Sequence, residues 1–519
     1  MHQNRIGPVF ILSVTVAGLF VIIGFLMPEQ LNTASKQALA LITKSFGWFY
    51  LIATFVMLAF AFFLAFGSYG KIRLGQDDEE PEYPFWTWLA MLFSAGMGIG
   101  LVFWGVAEPV FHYLSPPEGV EGSSAKAAQT ALRYCFFHWG LHPWAIYTII
   151  ALSLAYSHFR KGRSNLISST LYPLLGSRVE GVIGKTIDTL AVIATVFGVA
   201  TSLGLGAMQI NGGLSHLFGF PHSTTWQLLI IAVVTVLFLF SASTGLDRGI
   251  KYLSNLNLGL AFLLLLVVLI AGPSFFLVEA LTTTIGSYMG NLIPMSFRMT
   301  PFTQKTFVGA WTIFYWAWWI SWAPFVGSFI ARISRGRTIK EFVMGVLFVP
   351  TLLSMVWFSA FGGSALYYEM FQGRHIGDAV NQDVTSALFI TLEQFPFGMV
   401  LAMLATFLII TFFITSADSA TFVLAMLSSN GSLNPRLATK LVWGVLISSI
   451  AAVLLASGGL EGVQTASIVM ALPFTVVLLL MVVSTNRALK TEVREAERKE
   501  KRRIQRIEKW MEEEMEKGS

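Results

Sequence analysis

Residues 311–322 read Trp-Thr-Ile-Phe-Tyr-Trp-Ala-Trp-Trp-Ile-Ser-Trp, which places five tryptophans in a segment apolar enough to cross a bilayer. Tryptophan in membrane spans usually lies at the headgroup level, where its N–H group stays hydrated. A cluster inside the span therefore needs another explanation. The rings either pack neighbouring helices together or form a cage of electron-rich faces for a cation, above all a quaternary ammonium group. This stretch alone does not decide between the two.

The composition of the whole chain is that of an integral membrane protein. Of its 519 residues, 55% are hydrophobic and only 12% are charged, about half the charged fraction of soluble domains. The first apolar run, residues 7–27, is too long for a signal peptide and lacks a cleavage site. Cys135 is the sole cysteine, so an internal disulfide is excluded. No GxxxxGK[ST] motif occurs, which argues against ATP-driven transport of the P-loop kind.

Recurring apolar runs predict an all-α membrane protein with twelve transmembrane helices. The predicted spans are 7–27, 48–69, 84–106, 128–157, 184–213, 226–244, 253–277, 309–331, 342–366, 396–426, 439–457 and 465–485. With the N-terminus inside, 27 of the 34 Lys and Arg residues fall on the cytoplasmic side and 7 on the outside. This asymmetry predicts that both termini are cytoplasmic.

Two segments outside the spans have a distinct character. Residues 278–308 are too polar to cross and suit an amphipathic helix along the outer interface. The tail, residues 486–519, alternates basic and acidic residues at helical spacing. It is either a solvated tail that fixes topology or a segment that contacts anionic lipid.

The third span contains an unusual glycine pattern, with Gly96, Gly98 and Gly100 at alternate positions. Three glycines cost roughly 2–3 kcal/mol of helix propensity relative to alanine. The pattern favours either close helix packing or an unwound stretch whose carbonyls can hold a cation or carboxylate. Glu108 is expected in a polar setting at the outer end of this span, where it is either structural or a gating group.

The fourth and eighth spans each carry an aromatic face. By helical geometry each set lies within an arc of about 140°. Pro143 is expected to kink the fourth span. If the two faces oppose one another, they form a ring-lined chamber. The sets are Trp139, Trp144 and Tyr147 on the fourth span and Phe314, Trp318, Trp319 and Trp322 on the eighth.

Smaller polar groups occur on other spans. Residues 415–419 read Thr-Ser-Ala-Asp-Ser and suit a hard monovalent cation such as sodium, unless the hydroxyls bond back to the helix. Asp188 and Thr195 form a lesser set on the fifth span. His138 and His142 have the spacing of a zinc pair, but the sequence offers no further ligand beside them.

These motifs together resemble the betaine/choline/carnitine transporter family, and most closely its sodium-coupled glycine betaine transporters. The resemblance covers residues 5–485 and rests on the segments 95–100, 108–109, 139–147, 247–251, 311–337 and 415–419. It implies a LeuT-like fold with two inverted five-helix repeats. The implied organisation is two N-terminal helices (1–83), a first repeat (84–277), an interfacial helix (278–308), a second repeat (309–485) and a charged cytoplasmic tail (486–519). The resemblance also implies a homotrimer, with no nucleic-acid partner, enzymatic activity or organic cofactor.

The family's residue roles can be placed on this chain by position. The implied substrate site comprises Trp139, Trp144, Tyr147, Trp319, Trp322, Met97 and Gly100. The implied pathway aromatics are Phe314, Trp316 and Trp318. The implied sodium ligands are Ala95, Met97, Thr415 and Ser416, with Thr195 and Phe325 as part of a second site.

Three positions bear on substrate and coupling. Val199 stands where sodium-coupled relatives have a second threonine, so the second sodium site departs from the family pattern. Gly100 replaces an acidic residue typical of choline carriers, and residues 187–213 lack the basic side chain of sodium-independent exchangers. The resemblance therefore favours sodium symport of glycine betaine for osmoprotection, in a bacterial plasma membrane. The alternatives are choline or carnitine transport with proton coupling or exchange, and a membrane osmosensor that does not transport.

Overall fold

The computed structural model describes residues 7–96, 98–117, 119–244, 247–303 and 305–517, and this part of the chain is almost entirely helical. The first nine α-helices are Pro8–Leu26 (α1), Pro28–Phe66 (α2), Phe85–Gly96 (α3), Ile99–Leu114 (α4), Ala125–Trp139 (α5), Leu141–Ala155 (α6), Tyr172–Leu175 (α7), Val182–Phe218 (α8) and Thr224–Thr244 (α9). The others are Asp247–Ala271 (α10), Ser274–Ser296 (α11), Phe314–Ile333 (α12), Ile339–Gln372 (α13), Ile376–Gln382 (α14), Ala387–Glu393 (α15), Gly398–Ser428 (α16) and Leu437–Lys517 (α17).

Eight of the described helices are long and apolar enough to cross a membrane: Pro8–Leu26, Pro28–Phe66, Val182–Phe218, Thr224–Ser243, Tyr252–Ala271, Ile339–Gln372, Gly398–Ser428 and Leu437–Met511. Of the remaining predicted spans, the third and fourth fall on interrupted helices, the eighth falls on α12, and the last two are joined in α17. The many apolar helices confirm an all-α membrane protein, whereas the number twelve and the inverted repeats stay predictions.

The third and fourth predicted spans are both divided. The break between α3 and α4 falls at the glycine pattern, where Gly98 is fully extended (φ −169°, ψ 178°). The break between α5 and α6 falls at Gly140 (φ −97°, ψ −131°) and not at Pro143. Pro143 is the third residue of α6, where its missing N–H group would have no partner within the helix. The expected proline kink was therefore wrong in position.

The last helix, α17, contains one interior break. Gly459 has φ 55° and ψ −138°, a conformation that side chains avoid, and divides α17 into residues 437–458 and 460–517. The second part continues through residue 486 without interruption. The predicted boundary between the last span and the tail is thus not a break in the helix.

The segment expected as an interfacial helix forms α11, which begins at Ser274 and ends at Ser296. Its start precedes the predicted residue 278, and its end falls well short of 308. Tyr288 is buried there, and its hydroxyl accepts a hydrogen bond from the backbone N–H of Leu141 at 3.2 Å. By contrast, Phe275 is 91% exposed. The position of this helix relative to the membrane stays a prediction.

The aromatic helix α12 lies at the centre of the bundle, in contact with α6, α8 and α17. Its tryptophans Trp316 and Trp318 are almost wholly buried. Because α12 and α6 pack along each other, the aromatic residues of both helices meet in the interior.

Candidate functional site: a ring-lined cavity

A cavity of about 770 Å³ lies between the aromatic helices, and six predicted aromatic residues line it. These are Trp139, Trp144, Tyr147, Trp318, Trp319 and Trp322. The lining continues to Phe159, Arg335 and Lys440, and the side chain of Arg335 is 49% exposed. The cavity therefore reaches the surface at this end, which we call the open end.

The rings at the inner end of the cavity meet mostly edge to face. The centroids of Trp139 and Trp319 are 4.8 Å apart at an interplanar angle of 78°. Trp144 and Tyr147 are 5.3 Å apart at 79°. Trp318 instead stacks on Trp319 at 5.0 Å and 16°. All of these rings line the same cavity, and aromatic ring faces attract cations.

Three of the indole N–H groups in the cavity wall are engaged by the protein itself. Trp139 Nε1 donates to Glu108 Oε2 at 2.8 Å, and Trp319 Nε1 donates to the carbonyl of His138 at 2.9 Å. Trp322 Nε1 donates to the carbonyl of Gly198 at 2.7 Å. With these donors occupied, the rings offer a ligand their faces. That chemistry suits a cation without hydrogen-bond donors.

Gly100 lies directly beneath two of the rings. A Cβ atom at this position would lie 2.5 Å from Cη2 of Trp318 and 3.2 Å from Cη2 of Trp139. A Cβ atom at Gly98 would have no neighbour within 4 Å. Both glycines line the cavity. Of these two positions, only position 100 requires glycine for steric reasons, because the rings pack against its backbone where a side chain would lie.

A polar wall from α16 lines the same cavity and includes Thr415 and Ser416, the predicted sodium ligands. The Thr415 hydroxyl bonds back to the carbonyl of Thr411 at 3.0 Å, as hydroxyls within helices often do. It also accepts a hydrogen bond from Asn257 Nδ2 at 3.2 Å. Asn257 is 1% exposed and lines the cavity. Among the described residues its Oδ1 has no hydrogen-bond partner, so this oxygen is available to a ligand.

Sequence reasoning did not single out Asn257. It stands in α10 two residues after Asn255 and three after Ser254, so nothing along the chain distinguishes it from its polar neighbours. Two further residues were expected at the first sodium site. Ala95 lies near the end of α3, and Met97 lies outside the described residues.

The second predicted sodium pair is separated by the cavity wall. Phe325 lines the cavity and packs edge to face on Trp322 at 5.2 Å. Thr195 is fully buried, donates to the carbonyl of Ala191 at 2.7 Å and is not among the cavity-lining residues. Val199 is the position at which this site departs from the family pattern. The nearby Thr201 hydroxyl lies 2.7 Å from the Ser467 hydroxyl, and this hydrogen bond joins α8 to α17.

Two of the predicted pathway aromatics lie away from the described cavity. Phe314 is buried and stacks on Trp318 at 5.5 Å. Trp316 is buried and stacks on His142 at 5.1 Å and 17°. Trp318, the third, does line the cavity. The two buried rings therefore lie in the packed interior and do not form the cavity wall.

The histidines with zinc-like spacing serve different partners. His142 Nε2 lies 2.9 Å from the hydroxyl of Ser296, while His138 Nδ1 lies 2.7 Å from Glu108 Oε1. The structure does not bring the pair together as metal ligands. Asp188 likewise has a structural role, because its carboxylate accepts hydrogen bonds from the backbone N–H and the hydroxyl of Ser168 at 2.9 and 2.7 Å.

Glu108 lies within α4, fully buried, and not at the end of the span as expected. Besides Trp139 and His138, its carboxylate accepts a hydrogen bond from the Tyr315 hydroxyl at 2.6 Å. His112 Nε2 lies 3.2 Å from Oε1. The sequence did not predict this buried position, because the partners of Glu108 lie on α5 and α12 as well as on α4.

Near the open end, a cluster of ion pairs ties α17 to the end of α6. Glu492 pairs with Arg160 and with Lys161, whose Nζ lies 2.7 Å from Oε2. Arg160 also pairs with Asp77 at 2.7 Å. Burial raises the pKa of Glu492, but hydrogen bonds from Lys161, Tyr156 and Arg160 outweigh it and lower this pKa below its usual value.

Comparison with known proteins identifies the family. The profile of the betaine/carnitine/choline family transporters (BCCT) matches residues 8–494. The glycine betaine transporter OpuD of Bacillus subtilis is 53% identical over 96% of this chain and 97% of its own. The ectoine/hydroxyectoine transporter of Virgibacillus pantothenticus is 50% identical over 96% of this chain and 99% of its own. One solved structure, of a Na⁺-coupled sialic acid symporter, covers 84% of this chain and 86% of that chain at 16% identity and a TM-score of 0.47, which is too distant to support an argument. A match over nearly the whole chain, with relatives that are transporters, places this protein in the betaine/carnitine/choline transporter family.

Proposed function

We propose that this protein imports glycine betaine by sodium symport. The observation that carries the proposal is the cavity lined by tryptophan rings, three of which (Trp139, Trp319 and Trp322) have their N–H groups engaged by the protein. A trimethylammonium group cannot donate hydrogen bonds, so ring faces recognise it better than polar atoms do. Trp139, Trp144, Tyr147 and Trp319 form the proposed box, and Trp322 with Gly100 and Met97 complete the substrate site.

The proposed sodium site lies against the polar wall of the cavity. Its ligands are the hydroxyls of Thr415 and Ser416 and the backbone carbonyls of Ala95 and Met97. The unengaged Oδ1 of Asn257 lies beside Thr415 and is a further oxygen of the kind sodium prefers. Thr195 and Phe325 are the proposed second pair, and Val199 leaves that site with fewer hydroxyls than the family pattern.

Ectoine is the second candidate substrate, because a relative 50% identical to this chain is an ectoine/hydroxyectoine transporter. Both compounds join a delocalised or quaternary cation to a carboxylate, and aromatic ring faces attract a cation of either kind. Choline and carnitine remain alternatives within the family. Choline lacks a carboxylate, and Gly100 supplies no negative charge in its place.

The proposed cycle alternates access to the cavity between the two sides of the membrane. Its open end lies on the side that the distribution of basic residues assigns to the cytoplasm. We place the protein in the bacterial plasma membrane with both termini inside, as a homotrimer, and with the basic tail in reach of anionic lipid.

Uptake of labelled glycine betaine into proteoliposomes tests the proposal. We expect uptake that requires an inward sodium gradient and that unlabelled glycine betaine inhibits more strongly than choline or carnitine. Stronger inhibition by ectoine would reassign the substrate. Equal uptake with a potassium or proton gradient would refute sodium coupling, and osmotic responses without any uptake would favour an osmosensor.

A further inference from the structure

A fully buried polar layer separates two recesses of the molecule. One recess is the ring-lined cavity, and the other, of about 850 Å³, is lined by Leu114, Phe307 and Trp311 among others. The Trp139 ring lines the cavity, and the Trp311 ring contacts His112 at 4.6 Å on the other side. We call the side chains between them the Glu108 layer; they are Glu108, His112, His138 and Tyr315.

The Glu108 layer joins three helices through one carboxylate. Glu108 and His112 belong to α4, His138 to α5 and Tyr315 to α12. Oε2 receives hydrogen bonds from Tyr315 at 2.6 Å and from Trp139 at 2.8 Å. Oε1 lies 2.7 Å from Nδ1 of His138 and 3.2 Å from Nε2 of His112. All four side chains of the layer are fully buried.

A carboxylate is the one side-chain group suited to this position. It accepts hydrogen bonds at both oxygens and donates none, so it can engage four donors at once. Hydrogen bonds to a charged acceptor are shorter and stronger than neutral ones, and a buried site strengthens them further. An amide of the same shape would turn an N–H group toward two of the donors.

We infer that Glu108 is a positioning residue that orients the Trp139 ring and holds the inner end of the cavity closed. The inference rests on the proposed transport function and adds to it. Opening the cavity toward the second recess requires α4, α5 and α12 to separate, which breaks the hydrogen bonds of the layer. The same carboxylate holds the box ring, so opening and the shape of the substrate site change together.

A metal ion is the other occupant that the distances would allow. One ligand atom from each of Glu108, His112 and His138 lies within 4.8 Å of the other two. However, Oε2 already receives hydrogen bonds from Trp139 and Tyr315, and Nδ1 of His138 lies at hydrogen-bond distance, 2.7 Å, from Oε1. We therefore favour a layer held by hydrogen bonds, and a chelator distinguishes the two.

The chain carries its own reporter for this layer. Cys135 is its sole cysteine and lies fully buried on α5, three residues before His138. The experiment measures the rate at which a membrane-impermeant maleimide labels Cys135 in full-length protein in sealed vesicles of each orientation. We expect labelling about tenfold faster in Glu108→Gln, and a smaller increase in Tyr315→Phe, which loses one donor. Both increases are expected only when the reagent is on the side of the second recess.

The matched control is Ser153→Ala, which removes another buried hydrogen bond, to Thr485 at 2.7 Å, away from the layer. This variant should label and bind glycine betaine as the wild type does, whereas Glu108→Gln should bind it about tenfold more weakly. Equal labelling of Glu108→Gln and wild type overturns the inference, as does equal acceleration in Ser153→Ala. Faster labelling of the wild type in the presence of a chelator would show that a metal ion holds the layer, and would overturn the hydrogen-bonded assignment. The labelling needs no substrate, so a failed glycine betaine assignment leaves this test intact.

Discussion

Replacing Gly100 by alanine tests the geometry of the ring-lined cavity most directly. The added methyl group would lie 2.5 Å from Trp318 and 3.2 Å from Trp139, well inside normal contact distance. The Trp139 ring is held by its hydrogen bond to Glu108, and the Trp318 ring is stacked between Phe314 and Trp319. Neither ring can yield without disturbing the box.

The expected size of the effect follows from overpacking. One extra methyl group in a well-packed interior typically costs about 1–3 kcal/mol. If the substrate-bound state bears that cost, affinity falls by roughly 5- to 150-fold, at tenfold for each 1.4 kcal/mol. Gly98→Ala is the matched variant, because its methyl group meets no atom within 4 Å and its backbone is extended. We expect it to change affinity by no more than about threefold.

Titration of intrinsic tryptophan fluorescence with glycine betaine in purified protein gives both affinities, and thermal unfolding checks that the variants are folded. Gly100→Asp places a Cβ atom at the same position with a carboxylate beyond it, so we expect it to lose glycine betaine binding, and its choline uptake tests whether the added charge replaces the carboxylate that choline lacks. Wild-type affinity in Gly100→Ala would refute the steric argument. Choline uptake by Gly100→Asp would show instead that charge at this position selects the substrate.

Three further predictions follow from the site and the open end. Trp319→Ala and Trp144→Ala should each weaken glycine betaine binding by about 1–3 kcal/mol through lost cation–π contact, and unchanged affinity in both would reject the box. Thr415→Ala should raise the sodium concentration needed for half-maximal uptake, as measured in proteoliposomes. If Thr415→Ala shows the same sodium dependence as the wild type, the Thr415 hydroxyl does not bind the coupling ion. Glu492→Gln should lower thermal stability at neutral pH. Because the folded pKa of Glu492 is depressed, its contribution is complete above the unfolded pKa of about 4.3 and declines as pH falls toward the folded pKa, so the two melting temperatures should converge in acid.

The sequence predicted features whose signal is local. Alternate glycines at positions 96, 98 and 100 destabilise a helix wherever it lies, and the helix does break there. The aromatic residues of two spans were expected to face each other because helical periodicity is set by the backbone. Six of them do line one cavity, although the break at Gly140 means that Trp139 and Trp144 do not share one continuous helix face.

The features that the sequence could not predict depend on residues brought together from distant segments. Glu108 was expected at the end of a span because proline follows it, yet α4 continues to Leu114 with both residues inside. Its partners His138 and Tyr315 come from other helices, and no spacing along the chain relates them. Asn257 was missed for the same reason, since its importance comes from Thr415 on α16.

The final helix runs from residue 460 to residue 517 as one segment, which at 1.5 Å per residue makes a rod about 87 Å long. The ion pairs of Glu492 anchor this helix to Arg160 and Lys161, and about 38 Å of the helix extends beyond Glu492. The part of the helix before Glu492 packs within the bundle, so the exposed part beyond it acts as a lever. A tilt of about 10° at Glu492 would displace the distal tip by roughly 6–7 Å, by the geometry of a straight helix. Small angular changes at the open end of the cavity are thus magnified at the far end of the tail, where a distance probe could record them.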